Sequence, residues 1–145
     1  MKKDVLISVC GMQFEEDIDG EDIEVIQKGT YYQKNGAHYL LYDEPVEDSK
    51  EVIKNVIKFK NNEMQVSKKG PVNVMMNFRE KEKNLTNYQT PFGGILIGID
   101  TQKIQFEEKE DSLFLQAEYA LDVNYQFLAD CKITIKATSL PIQTQ

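Results

Sequence analysis

The chain has 145 residues, 41% of them hydrophobic and 28% charged, with a net charge of −7. That length accommodates one domain whose core needs neither disulfide nor metal to hold it. The acidic balance argues against nucleic acid, whose phosphates require a basic footprint, and equally against anionic membrane surfaces.

The first ten residues, MKKDVLISVC, imitate the start of an exported lipoprotein. The apolar run from Val5 to Cys10 is six residues long and already contains Ser8. A signal segment wants roughly 7–15 apolar residues, so this stretch is expected to be a first strand, and the protein cytoplasmic. No run reaches the length of a membrane span. Strand-like segments then follow at 4–14, 22–33, 38–44, 51–60, 63–68, 72–80, 94–100 and 104–108. Turn signals separate them: DIDGED, KNGA, KNNE, KKGP and EKEDS, of which Asn35-Gly36 is the strongest because both residues tolerate the positive φ of a tight hairpin. The stretch EPVEDSKEVIKN is the one credible helical site, one turn at most, with Asp48 or Ser49 as its cap.

Alternation is cleanest near the end of the chain. Leu113, Leu115, Ala117, Tyr119 and Leu121 share one face, as do Phe127, Ala129, Cys131, Ile133, Ile135 and Ala137. Period two sustained this long means strands with one face in the core and the other in water. A turn near Asn124 joins the pair as a hairpin, and the residues after Ala137 read as a frayed tail. Short strands joined by short turns form an antiparallel meander, and eight to ten of them curl into a barrel. The expected fold is therefore all-β: a single antiparallel up-and-down barrel over residues 1–145, its core at 4–137 and a tail at 138–145.

Catalytic and metal chemistry find little support. Nucleophilic triads need a histidine base, and His38 is the only one, placed on a strand just past the Asn35-Gly36 turn as a rim residue. The acidic stretch from Glu15 brushes against a calcium loop, but it has no Asp at the first position and Ile26 stands where a bidentate Glu is required. Cys10 and Cys131 are too few and too distant for zinc; they read as half-buried thiols that become neighbours if the terminal strands pair. Gly93, Gly94 and Gly98 match no phosphate loop, and the β-branched run after them offers no helix N-terminus. Pro91, Gly93 and Gly94 instead bend a strand.

What remains is a set of tyrosines and one arginine. Tyr31, Tyr39 and Tyr42 lie on one hairpin, while Tyr88, Thr90 and Tyr119 come from elsewhere. Tyrosine supplies an apolar face and a hydroxyl that needs a partner, which suits a pocket lining. Arg79 is the only arginine among 17 basic residues, and its fork matches carboxylate or phosphate. The competing reading is that the tyrosines fill the barrel and Arg79 sits on its surface.

Four pieces in this order, KGTYYQKNGAHYLLYDE, KKGPVNVMMNF, NYQTPFGGILIGIDT and YALDVN, resemble the YwiB-like family of small bacterial proteins, chiefly from Firmicutes. The matching residues are Tyr31, Met76-Asn77-Phe78, Tyr88, Thr90, Pro91, Phe92, Gly93 and Thr101. The resemblance implies a calycin-like barrel, similar in shape to lipocalins and fatty-acid-binding proteins, and carries no catalytic residue across. The chain departs from the family pattern at Lys68-Lys69-Gly70, since the family commonly has an arginine shortly before that glycine and this chain has lysines.

The expected function is non-enzymatic binding of a small, partly apolar ligand in or at the mouth of the barrel, reached by Tyr31, Tyr39, Tyr42, Arg79, Tyr88, Thr90 and Tyr119. No cofactor or metal is expected. The alternative is an acidic protein–protein interaction scaffold, its barrel filled by its own side chains, that meets a basic partner. An enzyme built from carboxylates and tyrosines ranks third, because no general base is evident.

Overall fold

The computed structural model describes residues 3–11, 24–46 and 48–140. Among them ten strands follow in order: β1 Lys3–Cys10, β2 Glu24–Lys34, β3 Ala37–Pro45, β4 Val52–Lys60, β5 Glu63–Lys69, β6 Asn73–Arg79, β7 Glu82–Thr90, β8 Gly93–Glu108, β9 Ser112–Val123 and β10 Gln126–Ser139. Each pairs antiparallel with its neighbour in sequence, and β1 pairs with β10 from Val5↔Ser139 to Cys10↔Thr134, which closes an up-and-down barrel. The hairpin turns explain the order. Asn35-Gly36, Asn61-Asn62 and Asn124-Tyr125 all carry positive φ at both central residues, the geometry that matches the right-handed twist of the flanking strands.

Three features depart from the periodicity reading. Strand β7 was not among the expected elements, because its inward row is Asn84, Thr86, Tyr88 and Thr90, and polar side chains on both faces leave no alternation to detect. The segments 94–100 and 104–108 are one strand, β8, whose register slips between Thr101 and Lys103 at a β-bulge. A second bulge in β10 inserts Leu128, so that Phe127 opposes Asp122 while Ala129 opposes Leu121. This turns Phe127 out of the core row, leaving it 64% exposed.

Elsewhere Asp48–Lys50 form a turn and bends, and no helix occurs among the described residues. Strand β10 runs on to Ser139, and Leu140 N donates to Asp4 O at 3.1 Å, so the end of the barrel lies beyond Ala137. The acidic turn at 18–23, most of the calcium-like stretch and residues 141–145 lie outside the described residues. No helix of the described chain is long and apolar enough to cross a membrane.

The interior is filled. Ile7, Leu40, Ile57, Met64, Met76, Phe78, Ile97, Ile99, Leu115, Leu121, Ile133 and Ile135, from eight of the ten strands, are each less than 2% exposed. Strands β2 and β7 contribute none of these. In β2 the reason is Gly29, which faces Val5 across the ladder. A Cβ at Gly29 would stand 2.4 Å from Leu41 O and 2.5 Å from Ile7 Cδ1. Absence of a side chain there lets Ile7 and Tyr42 pack against the β2 backbone.

Replacing Gly29 with Ala should therefore overpack the wall. We expect a loss of about 2 kcal/mol in urea unfolding, with the denaturant slope unchanged, since relief requires moving a backbone carbonyl.

Candidate functional site

The barrel has two ends, and alternation assigns polar side chains to each. At one end, Tyr31 of β2 and His38 of β3 point inward, and the Tyr31 hydroxyl is hydrogen-bonded to His38 Nδ1 at 2.7 Å. Phe106 lies 5.1 Å from the His38 ring and stacks on Phe59 at 4.4 Å, so aromatic rings cover this mouth. Burial, with Glu108 nearby, raises the Tyr31 phenol above its ordinary value. The space beside Tyr31, Val5, Leu113 and Ala137 is about 40 Å³, room for ordered water and little else.

The opposite end is closed by an internal polar cluster. Lys68 Nζ donates to Glu44 Oε1 at 3.1 Å and to Asn55 Oδ1 at 2.9 Å, and Asn55 Nδ2 donates to Glu44 Oε1 and Ile53 O. Lys68 takes the inward position on β5, with only 11% of its side chain exposed, and Asn55 is 1% exposed. Each charge thereby meets a partner that offsets its desolvation. Tyr42 opposes Asn55 in the ladder and is 5% exposed.

The seven residues expected to share a pocket are thus dispersed. Tyr42 and Tyr119 are core: Tyr119 is 4% exposed, packs edge-on against Phe78 at 5.1 Å and hydrogen-bonds the Cys131 thiol. Tyr31 holds the first mouth, and Tyr88 is half-buried against the core on β7. Tyr39 faces outward, stacked on Tyr32 at 4.7 Å with Lys58 Nζ 5.7 Å from its ring centroid. Thr90 serves the β7–β8 turn: its hydroxyl donates to Gly93 O at 2.9 Å and accepts from Phe92 N. Arg79 is on the outer face, its guanidinium paired with Glu63 at 2.5 Å and Glu82 at 3.1 Å. The cysteines also separate. Cys10 opposes Thr134 on the outer row, whereas Cys131 packs against the core from the inner one.

Of these residues, Arg79 alone adjoins a sizeable concavity. Strands β6 and β7 share a single ladder pair, Asn73↔Gln89, and at the far end of the seam Asn84 Nδ2 reaches Asn77 O at 3.3 Å. Above this parting, on the outer face of β4–β6, lies a groove of about 270 Å³. Lys58, Gln65 and Asn77 form one outward row across three strands, and Gln65 Nε2 donates to Asn77 Oδ1 at 2.9 Å. Lys60, Asn61, Glu63 and Arg79 complete the rim, and the floor is the strand backbone at Met64 and Phe78, whose side chains turn into the core. Three cations stand here against two carboxylates, Glu63 on the rim and Glu82 beside Arg79. Sequence reasoning found Arg79 and missed its neighbours. The available signal was the outward spacing of Lys58 and Lys60 together with the pairing of β4, β5 and β6.

Residues 7–135 match the family described as Domain of unknown function (DUF1934). The chain belongs to this family. Its fold is similar to the crystal structure of the ywiB protein from Bacillus subtilis, with a TM-score of 0.77 at 23% identity, covering 97% of this chain and 94% of that one. A comparison with curated proteins finds no match. Within this DUF1934 chain the YwiB-like pieces have structural roles. Met76 and Phe78 are core and Asn77 lines the groove, while Thr90-Pro91-Phe92-Gly93 makes the β7–β8 turn.

Burial raises the phenols of Tyr42 and Tyr119 well above the ordinary 10.0, with Glu44 adding to the effect at Tyr42 and Cys131 at Tyr119. Raised folded values mean that their contribution to stability is complete below pH about 10 and is lost as pH climbs through the folded values. Alkaline titration followed at 295 nm should show the last two of the seven tyrosines ionising only as near-ultraviolet circular dichroism disappears.

Proposed function

We propose that this chain is a non-enzymatic binding protein that takes a small, partly apolar anion in the groove on the outer face of β4–β6. The observation that carries the reading is the gathering of Lys58, Lys60 and Arg79 around one concavity in a chain of net charge −7. Arg79, steadied by Glu63 and Glu82, offers the fork for a carboxylate or phosphate, and the two lysines add point charges. Asn61, Gln65, Asn77 and Asn84 supply donors and acceptors for hydroxyl or carbonyl groups, while the aliphatic stems of Lys58 and Lys60 can meet an apolar body. At about 270 Å³ the groove falls just under the ~300–1,000 Å³ typical of small-molecule sites, which favours a compact ligand.

A ligand inside the barrel is disfavoured by the packing of Tyr42, Tyr119 and their neighbours, and the Tyr31 mouth retains space only for water. That packing also supports the second reading, a scaffold whose barrel only displays its surface.

Backbone amide shifts in a titration with phenyl phosphate test the site. Shifts should concentrate at Asn61, Gln65, Asn77 and Arg79, inorganic phosphate should bind more weakly, and phenol should not bind. Arg79→Ala and Lys58→Ala should each weaken binding roughly tenfold, about 1.4 kcal/mol. Shifts centred on Tyr31 and Leu113, or none in the millimolar range, would refute it.

A further inference from the structure

The β7–β8 hairpin outruns the rest of the barrel. Strand β9 ends with Val123 opposite Ile97, whereas β8 begins four residues earlier, and Gly93–Ile95 pair only with Gly94-side partners on β7: Thr90, Gln89 and Tyr88. The turn between β9 and β10 is lashed to the base of this arm, since Asn124 N donates to Leu96 O at 2.8 Å and Leu96 N donates to Asn124 Oδ1. Arm and turn therefore form one surface.

That surface is apolar and uncharged. Phe92 at the tip is 99% exposed, Tyr125 75%, Phe127 64% and Leu128 48%, with Ile95 at 38% beside them. From Asn84 to Ile99 there is no charged residue, nor from Val123 to Ala129, in a chain that is 28% charged. At the edge Lys83 and Asp122 neutralise each other in an ion pair, and Asp130, just past Ala129, bounds the patch on β10. The β10 bulge contributes directly, because regular alternation would have sent Phe127 into the core. Monomeric surfaces carry contiguous apolar patches of this kind mainly where they meet something.

We propose that this corner is a self-association surface and that its occupant is the same corner of a second copy, related by a twofold axis. Charge selects the occupant. Two copies at −7 each repel across most of their surfaces, and the uncharged corner is where they approach with least penalty. An acidic or basic partner would find no complementary charge there. The side chains suffice in area: at the exposures above, the five residues offer roughly 600 Å² per copy, and the flanking Asn87, Gln89 and Gln126 bring this towards the ~800 Å² per partner of a standard interface. A twofold arrangement uses one patch on both copies, so no further surface is required.

Sedimentation equilibrium across a protein concentration series provides the test. The wild-type chain should dimerise in the micromolar range, and added salt should leave the dimer unchanged or tighten it, because salt screens the residual repulsion. Phe92→Ser and Phe127→Ser each change an exposed side chain, so both variants should keep the native circular dichroism spectrum and shift dissociation at least tenfold towards monomer. A wild-type chain that stays monomeric at high concentration overturns the proposal, as does a dimer that persists in both variants or falls apart in salt. Monomer that co-sediments with neutral phosphatidylcholine vesicles, and loses this with Phe92→Ser, also overturns it and assigns the corner to lipid.

Discussion

Pairing of β1 with β10 joins the two ends of the described chain, and the rest of the molecule follows from that closure. A closed wall has an inside, and every second residue of every strand must go there. A sheet of ten strands left open would expose two edges for aggregation; closed, it must fill its interior or hold something in it. This chain fills it. Isoleucine, leucine, methionine and phenylalanine from opposite walls meet in the middle, and paired polar side chains close the two ends, Tyr31 with His38 at one and Lys68 with Glu44 at the other. The ends are thus sealed by hydrogen bonds and an ion pair rather than left as portals.

A sealed interior moves the chemistry outward, and the places where the wall is imperfect become informative. The β6–β7 seam is held by one ladder pair, and beside it lies the groove with three cations. The bulge in β10 and the overhanging β7–β8 arm give up regular pairing and expose aromatic side chains. Regular strands spend their inward residues on the core; irregularities re-aim side chains, and here they shape the groove and the uncharged corner. The groove is charged and small, suited to an anion. The corner is uncharged and broad, suited to another protein surface, and the two lie apart on the wall, so occupancy of one leaves the other open.

Much of the architecture was legible because period two is enforced wherever one face is buried. From Leu113 to Ala137 the alternation located both strands, and Asn35-Gly36 located a hairpin. It failed at β7, whose inward Asn84, Thr86 and Tyr88 flank the loose seam and so are not required to be apolar. It failed again at Phe127, since a one-residue bulge inverts facing without leaving a mark in composition. The family resemblance rested on turn and core residues, which explains why it located the fold and no site. The tyrosine set illustrates a different limit. A tyrosine hydroxyl is satisfied by a pocket, a neighbouring thiol or a histidine alike, and only register decides; Tyr119 found Cys131, and Tyr31 found His38. Arg79 was legible as an anion candidate by its rarity, but its companions Lys58, Lys60 and Asn77 come together only once three strands are paired.

The central claim is that the barrel is packed by its own side chains and holds no ligand chamber. Xenon occupies dry apolar cavities of protein interiors, so diffraction from a crystal under xenon pressure tests this directly. The account predicts no xenon within the barrel. A well-occupied xenon peak among Leu40, Ile57, Met76, Leu115 and Ile135 would contradict it and return the search for a ligand to the interior.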